Sequence, residues 1–464
     1  MQPKIVATLG TNASDLQTIR AMLEAGCTVV RLNLAHDTHA AHEERMECAR
    51  RAAITLGKPL GILCDLGGPK VRVGRVAAGT YLKEGSVFYL VKKQVLGDTE
   101  RASVNFPKII DELRQGMIVW LDDGTKKLVV EAQEKDSVRL RVLDGGELRN
   151  NAGLAVEGLT FGLDSFTKKD EQDLAFAVSR GVDFIAVSFV RTPRDMELVR
   201  SKTPVDGPSL IAKIETPEAV LNIEGIVEAA DGIMVARGDL GLTLAFDEVP
   251  AVQERLVRLC LRAGKPVIVA TQMLESMIRS PRPTRAEVEN VAHAVQQGAD
   301  ALMLSAETAR GIDPARAVAV MQKIAGRAEY ACPQQTLASL GLEKLSGPDA
   351  VSAMVVEASE ALDAKLLVAF TETGRAAQRI ARFRPRKPIL AVSPHKEAAR
   401  KLALTFGVIT TVVAPVQTIE EAVVVAKRAV AELGTLKPGD CFLISAGRPF
   451  GRSATTNSVL VEYM

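Results

Sequence analysis

Aromatic residues, long apolar runs and blocks of like charge are all scarce in this sequence. One Trp and four Tyr provide few surfaces on which nucleic-acid bases could stack. The 58 basic and 56 acidic residues are interspersed, without the basic blocks of a nucleic-acid-binding protein. No stretch approaches the ~20 consecutive apolar residues of a membrane span. We therefore expect no nucleic-acid partner and no membrane, and instead a small-molecule partner.

Cysteines are few and show no pairing pattern. Cys27, Cys48, Cys64, Cys260, Cys332 and Cys441 lie far apart and form no CxxC pair, which suits reduced thiols in a reducing compartment. The first residues, Met-Gln-Pro-Lys followed by the apolar Ile5-Val6-Ala7, lack the pattern of a secretory signal. Both features predict a cytoplasmic protein.

Short apolar runs alternate with helix-sized segments along much of the chain. Eight runs are predicted to be strands: Ile5–Leu9, Thr28–Leu34, Leu60–Asp65, Phe184–Phe189, Leu210–Ile214, Gly232–Ala236, Val267–Thr271 and Ala301–Leu304. A helix-sized segment fills every gap except the one after the third run, which is the repeat of a parallel TIM (β/α)8 barrel. The sequence therefore predicts a barrel over residues 1–74 and 156–332.

Two further regions depart from this alternation. Residues 75–155 are rich in glycine and short strand-like runs, which predicts an inserted β-rich domain. Because it follows the third barrel strand, on the face where barrel loops carry chemistry, we expect it to act as a mobile lid. A second alternation of strands and helices over residues 333–464 predicts a separate open α/β domain.

Polar residues lie toward or just after the C-terminal ends of the predicted barrel strands, and these ends converge on one mouth. They are Arg31, Asn33, Asp65, Lys213, Glu215, Arg237, Asp239, Thr271, Ser305 and Glu307. Glu215 and Asp239 supply the oxygen ligands that Mg²⁺ or Mn²⁺ prefers. Two cations, a metal and no Ser-His or Cys-His pair suit phosphoryl transfer. Carboxylates at strand ends also cap helices or pair with arginines, so the pattern alone leaves a purely structural role open.

Seven longer motifs carry a resemblance to a known family. They are KIVATLGTNAS (4–14), VRLNLAH (30–36), AKIE (212–215), MVARGDLG (234–241), ATQMLESM (270–277), RSPRPTRAE (279–287) and MLSAETA (303–309). In these motifs the sequence resembles the pyruvate kinases from end to end. The resemblance implies phosphoryl transfer from phosphoenolpyruvate to ADP in glycolysis, with Mg²⁺ or Mn²⁺ as cofactor, in a homotetramer.

The resemblance also implies roles for individual residues. Lys213 would stabilise the transferring phosphoryl group, Arg31 would bind the phosphate, and Glu215 with Asp239 would hold the metal. Thr271, Ser305 and Glu307 would line the side where the enolate is protonated. The residues expected around the nucleotide are Asn33, His36, Arg72, Asp123, Arg237 and Gly238.

One motif departs from the family pattern in a way that bears on potassium. Most relatives bind this ion through the positions of Asn33, Ala35, Asp65 and Leu66, and Ala35 lacks the hydroxyl usual there. Lys70 stands where the family usually has Glu, so its ammonium could replace the bound cation. The combination resembles the potassium-independent branch of the family.

The C-terminal domain contains a candidate effector loop. Thr371, Thr373, Gly374 and Arg375 lie between a predicted strand and helix, where hydroxyl and N–H groups can cradle a phosphate. A phosphorylated effector is one reading of this loop, and a plain helix cap is the other, since Glu372 would repel a phosphate.

Two alternatives to an active pyruvate kinase stay open from the sequence. A catalytically weak paralogue could bind nucleotide or phosphoenolpyruvate for regulation. A metal-dependent lyase or aldolase could use the same carboxylate pair but would have no use for Arg72 and Asp123.

Overall fold

The computed structural model describes residues 2–343, 345–452 and 455–464. Its first part contains strands β1 (Lys4–Thr8), β2 (Val29–Asn33) and β3 (Gly61–Asp65), with helices α1 (Leu16–Glu24) and α2 (His39–Leu56) between them. The helices begin at Asp15 and Thr38, whose side chains accept backbone N–H groups of the first turn. The strands are almost entirely buried, as expected of parallel strands covered by helices.

The inserted region forms two sheets around a hydrophobic core of its own. Its strands are β4 (Tyr81–Leu82), β5 (Val87–Val91), β6 (Arg101–Ser103), β7 (Ile118–Leu121), β8 (Lys126–Gln133), β9 (Ser137–Asp144), β10 (Gly146–Glu147) and β11 (Leu154–Val156). The larger sheet has the order β11-β7-β8-β9-β5-β6, and β10 pairs with β4. In β5, β7 and β9 every second residue is buried, which is the period of a sheet with one face on the core.

The chain then returns to the barrel. The remaining barrel strands are β12 (Phe184–Val187), β13 (Ser209–Ile214), β14 (Gly232–Ala236), β15 (Val267–Ala270) and β16 (Ala301–Leu304). The helices are α3 (Lys168–Ser179), α4 (Pro193–Ser201), α5 (Pro217–Leu221), α6 (Ile223–Ala229), α7 (Arg237–Thr243), α8 (Val249–Ala263), α9 (Arg285–Gln296), α10 (Ala306–Ala309) and α11 (Pro314–Ala328). The eight strands close in the order β1-β16-β15-β14-β13-β12-β3-β2.

The C-terminal part is an open sheet covered by helices. It contains α12 (Gly347–Ala361), β17 (Leu366–Phe370), α13 (Arg375–Ala381), β18 (Ile389–Ser393), α14 (Lys396–Lys401), β19 (Val408–Val412), α15 (Ile419–Leu433), β20 (Cys441–Gly447) and β21 (Thr456–Tyr463). The sheet order is β19-β18-β17-β20-β21, and only β21 is antiparallel to its neighbour. None of the helices in the described ranges combines the length and the apolar character that crossing a membrane requires.

The C-terminal part closes the floor of the barrel, meaning the N-terminal ends of its strands. Ala403 and Leu404 belong to the same buried cluster as the side chains of the barrel interior. Arg384 Nη2 lies 2.8 Å from Asp300 Oδ2, and Arg400 Nε lies 2.7 Å from Asp183 Oδ1. The floor is therefore built jointly by two parts of the chain.

The predicted fold class is confirmed: a closed eight-stranded parallel barrel, a β-rich insertion and a C-terminal α/β part. The domain boundaries stated above stay predictions.

Candidate active site

Four charged side chains from β2, β3 and β13 form one network at the mouth. Arg31 donates to Asp65 Oδ2 through Nε at 2.8 Å, and its Nη2 lies 2.7 Å from the same oxygen. Lys213 Nζ lies 3.2 Å from Asp65 Oδ1 and 2.9 Å from Glu215 Oε1. Arg31 Nη1 also donates to Thr8 Oγ1 at 3.0 Å. Residues chosen at separate predicted strand ends are thus in direct contact.

The electrostatics of this network hold Lys213 charged. Lys213 is only 9% exposed to solvent. Burial favours the neutral amine, but Asp65 and Glu215 outweigh it and raise the pKa of Lys213 above its usual value. Burial likewise acts to raise the pKa of Asp65, but Lys213 and Arg31 bring about a net lowering. At neutral pH the network therefore presents a fixed ammonium in a largely dry environment.

Two carboxylates and Lys70 form a second group beside this network. Burial, assisted by the charge of Asp239, raises the pKa of Glu215. Lys70 Nζ donates to Asp239 Oδ1 at 2.8 Å and lies 3.5 Å from Asp123 Oδ1 of the inserted domain. Burial opposes charge on Lys70, but Asp239 and Asp123 outweigh it and raise the pKa of Lys70. Lys70 thus links the inserted domain to the carboxylate pair.

The carboxylate pair fits a divalent metal ion. Glu215 is 1% exposed, and its Oε1 forms an ion pair with Lys213 but has no hydrogen-bond partner among the described residues. Across the described ranges, no three His, Cys, Asp or Glu side chains converge as a complete metal cage. Two hard oxygen donors with the other positions left to substrate and water suit Mg²⁺ or Mn²⁺ better than Zn²⁺.

The turn after β15 is tightly organised. Thr271 has a φ of 65° and lies in the left-handed region. Its Oγ accepts from Gly238 N at 2.7 Å and donates to Ala270 O at 2.6 Å. Arg237 donates to Ala270 O, Thr271 O, Gln272 O and Asn290 Oδ1, and burial lowers its pKa to about 10. Arg237 therefore holds the turn that presents Thr271.

Ser305 and Glu307 follow β16 on the neighbouring side of the mouth. Glu307 accepts from Leu274 N at 3.1 Å and from Ser305 N at 2.7 Å, and burial raises its pKa. Ser305 Oγ is buried and has no hydrogen-bond partner in the part of the chain that the structure describes. This hydroxyl is available to a ligand.

A cleft of about 1320 Å³ lies at the mouth of the barrel. The predicted site residues on its wall are Arg31, Asn33, His36, Lys70, Asp123, Arg237, Gly238, Asp239, Thr271, Ser305 and Glu307. Asp65, Lys213 and Glu215 are not among the wall residues. Arg72 is not among them either, and its guanidinium donates to Asn151 O at 2.9 Å. Burial and the charge of Arg72 both lower the pKa of His36, so Arg72 still acts on this side electrostatically.

Two residues that the sequence did not identify hold the network in place. Ser188 Oγ accepts from Lys213 Nζ at 2.6 Å and donates to Leu66 O at 2.8 Å. Phe189 N donates to Glu215 Oε2 at 2.7 Å, from a residue with a φ of 55°. Both directly follow β12, which ends at Val187, whereas the apolar run predicted a strand to Phe189. The rule of polar residues at strand ends would have found Ser188 with the correct boundary.

The predicted effector loop lies in the C-terminal part. Thr371 Oγ accepts from Gly374 N at 2.9 Å, and Gly374 has a φ of 93°. Glu372 pairs with His395 at 2.9 Å. Arg375, Arg379 and Arg452 line the adjoining pocket. The carboxylate expected to repel a phosphate therefore has a hydrogen-bonding partner of its own.

Comparison with known proteins identifies the family of the chain. Residues 1–318 match the model of the pyruvate kinase barrel domain, and residues 349–462 match that of the pyruvate kinase alpha/beta domain. The chain is 41% identical to pyruvate kinase of Geobacillus stearothermophilus over 99% of its own length and 80% of that protein. It is also 41% identical to pyruvate kinase of Mycobacterium intracellulare, over 99% and 98%.

A solved structure extends the match to three dimensions. A pyruvate kinase from Cryptosporidium parvum superposes with a TM-score of 0.92 and 31% identity, covering 100% of this chain and 96% of the other. The chain therefore belongs to the pyruvate kinase family of phosphotransferases.

Proposed function

We propose that this chain transfers a phosphoryl group from phosphoenolpyruvate to ADP, giving pyruvate and ATP in cytoplasmic glycolysis. The observation that carries the proposal is the contact of Lys213 and Arg31 with Asp65, beside the carboxylate pair. Catalysis of phosphoryl transfer consists mainly of positioning and charge stabilisation. A buried ammonium that cannot lose its proton at neutral pH supplies both.

Each residue of the network has a separate task in this reaction. Lys213 stabilises the charge on the oxygens of the transferring group, and Arg31, which contacts the other oxygen of Asp65, binds the phosphate. Glu215 and Asp239 would hold Mg²⁺ or Mn²⁺, which neutralises phosphate and carboxylate oxygens when bound. Ser188 holds the ammonium of Lys213 in place through its hydrogen bond, and Phe189 N does the same for the carboxylate of Glu215.

The enolate left by phosphoryl transfer collects its proton on the side of Thr271 and Ser305. Thr271 Oγ donates to Ala270 O and accepts from Gly238 N, so it is held at a fixed place on the cleft wall. Ser305 Oγ has no hydrogen-bond partner within the described ranges. Glu307 fixes the backbone of Ser305. The immediate proton donor is a water or hydroxyl ordered by Thr271 and Ser305.

ADP occupies the side of the cleft bounded by Asn33, His36 and Asp123. Burial lowers the pKa of His36, so its imidazole is neutral at pH 7 and contributes a hydrogen bond rather than a charge. Arg72 acts at longer range, as its effect on His36 indicates. The inserted domain brings Asp123 to this side.

We further propose that the reaction needs no potassium. Lys70 Nζ supplies a permanent cation next to Asp239 and Asp123, and Ala35 offers no hydroxyl for a bound ion. Asp65 and Asn33 still supply two of the oxygen ligands through which most relatives bind potassium. Asp65, however, is engaged with Arg31 and Lys213, and Asn33 Oδ1 accepts from Ala35 N at 3.2 Å.

The test is pyruvate formation from phosphoenolpyruvate and ADP with Mg²⁺ in tetramethylammonium buffer, then with potassium added. We expect full turnover without potassium, and a requirement for potassium in Lys70→Glu. Strong activation of the unaltered chain by potassium would overturn the tethered cation but not the kinase. No turnover under either condition would favour the binding paralogue or the barrel lyase.

Oligomeric state and regulation belong to the same proposal. A homotetramer is what family membership leads us to expect, and sedimentation velocity tests it. The loop formed by Thr371, Thr373, Gly374 and Arg375 would take a phosphorylated effector beside Arg379 and Arg452. Activation by sugar phosphates or nucleotide monophosphates, lost in Arg375→Ala, is the expected result.

A further inference from the structure

Both connections between the barrel and the inserted domain meet at one buried carboxylate. The outgoing connection leaves β3 and passes through Gly68 to Lys70, and the returning one enters α3 at Thr167. Asp170, in the first turn of α3, is 1% exposed. Its Oδ1 accepts from Gly68 N at 3.0 Å, and its Oδ2 accepts from Thr167 N at 2.8 Å and from Thr167 Oγ at 2.6 Å. One side chain thus fastens both connections.

The fastened loop has little room to shift. Gly68 has a φ of 63°, and a Cβ there would lie 2.9 Å from both Phe189 Cδ2 and Ser188 Cβ. Only glycine fits, so the backbone of the loop rests directly on these two residues. Ser188 and Phe189 in turn hold Lys213 and Glu215. Displacing Gly68 therefore disturbs the supports of both groups.

The same loop sets the position of Lys70. Only Pro69 separates Gly68 from Lys70, whose ammonium is 2.8 Å from Asp239 Oδ1. Because proline fixes its own φ, the backbone position of Lys70 depends on that of Gly68. Asp170 is consequently linked through one hydrogen bond to the geometry of Lys70 and Asp239.

We propose that Asp170 is a positioning residue for phosphoryl transfer. It holds the two connections of the inserted domain together, so that Lys70 stays on Asp239 while the inserted domain moves. Asp170 does not line the cleft, and its link to the outgoing connection is the hydrogen bond from Gly68 N. This inference rests on the proposed kinase function and adds to it the residue that fixes the hinge.

A plain structural role must be separated from this one, because Asp170 also completes the capping box of α3. Thr167→Val is the matched control, since it removes the hydroxyl side of the cap but leaves the Gly68 contact. Asp170→Asn is the conservative variant, whose carbonyl oxygen can still accept from Gly68 N. Asp170→Ala removes all three hydrogen bonds that the carboxylate accepts.

The experiment measures hydrogen–deuterium exchange of the full chain over residues 66–72 and 157–167, together with steady-state kinetics. We expect Asp170→Ala to exchange faster in both segments, with unchanged exchange in β8 and β9. Loss of a charge-assisted hydrogen bond predicts a fall in kcat of about tenfold and a half-saturating Mg²⁺ concentration about tenfold higher. KM for phosphoenolpyruvate stays near the original value, and Asp170→Asn recovers most of the activity.

Two results would overturn the inference. Unaltered exchange over residues 66–72 in Asp170→Ala would mean that the Asp170 side chain does not hold this loop in place. Equal losses in Thr167→Val and Asp170→Ala would reduce Asp170 to a helix cap. If the unaltered chain forms no pyruvate, the kinase proposal fails, but the exchange measurement still decides whether Asp170 holds the hinge.

Discussion

Replacing Asp65 by Asn tests the central network most directly. The substitution keeps the size of the side chain but removes the negative charge between Arg31 and Lys213. Asp65 is 1% exposed, so water cannot take over its role. The amide also carries an NH₂ group that must face one of the two cations. Glu215 remains as the nearest anion for Lys213.

The size of the effect follows from what is left uncompensated. Removing one partner of a buried ion pair costs ~3–5 kcal/mol, because the other charge stays buried. The lower bound corresponds to a factor of about 100 in an equilibrium or rate constant. Without Asp65 the pKa of Lys213 falls, since Asp65 is the foremost group that raises it against burial. We therefore expect both a less stable chain and a kcat/KM for phosphoenolpyruvate about 100-fold lower.

The assay couples pyruvate formation to NADH oxidation by lactate dehydrogenase, and urea unfolding is followed in parallel. Asp183→Asn is the matched control, because Asp183 is also buried, at 4% exposed, but lies on the floor and pairs with Arg400. It should lower the urea midpoint while leaving kcat/KM within a few-fold. Turnover of Asp65→Asn close to that of the unaltered chain would refute the reasoning, as would equal losses of activity in the two variants.

Two further predictions concern the floor. Leu404→Ala removes a fully buried side chain from the barrel interior and should lower the free energy of unfolding by ~2–5 kcal/mol, measured by urea titration. An unchanged urea midpoint would contradict the floor packing. Burial lowers the pKa of Lys4 to about 8, so the folded chain releases this proton before the unfolded chain does. Stability relative to Lys4→Met should therefore rise as the pH increases from about 8 toward ~10.4, and a flat difference would refute this.

Much of the barrel and its mouth could be predicted from the sequence because both depend on local pattern. Parallel strands covered by helices need continuous apolar runs, and the predicted and observed β14 and β16 have the same bounds. Once the strands are located, their C-terminal ends converge by geometry alone. The same geometry predicts Arg31 and Lys213 as site residues from the sequence.

Other features depend on tertiary contacts that no local pattern carries. The strands β4, β6, β10 and β11 have two or three residues each and were not predicted, and β21 was also missed. Phe189 takes a left-handed conformation that a bulky residue adopts only when its surroundings enforce it. Asp170 belongs to a recognisable capping box, but its bond to Gly68 spans 102 residues.

The two ends of the barrel differ in how completely their buried carboxylates are satisfied. On the floor, Asp300 Oδ1 accepts from Phe406 N, and its Oδ2 accepts from Val267 N and Arg384. At the mouth, Glu215 Oε1 has the ammonium of Lys213 as an ion-pair partner at 2.9 Å and no further hydrogen bond among the described residues. The two oxygens of a carboxylate can accept about four contacts between them. Glu215 therefore keeps unused acceptor capacity at the end of the barrel where a metal ion would bind.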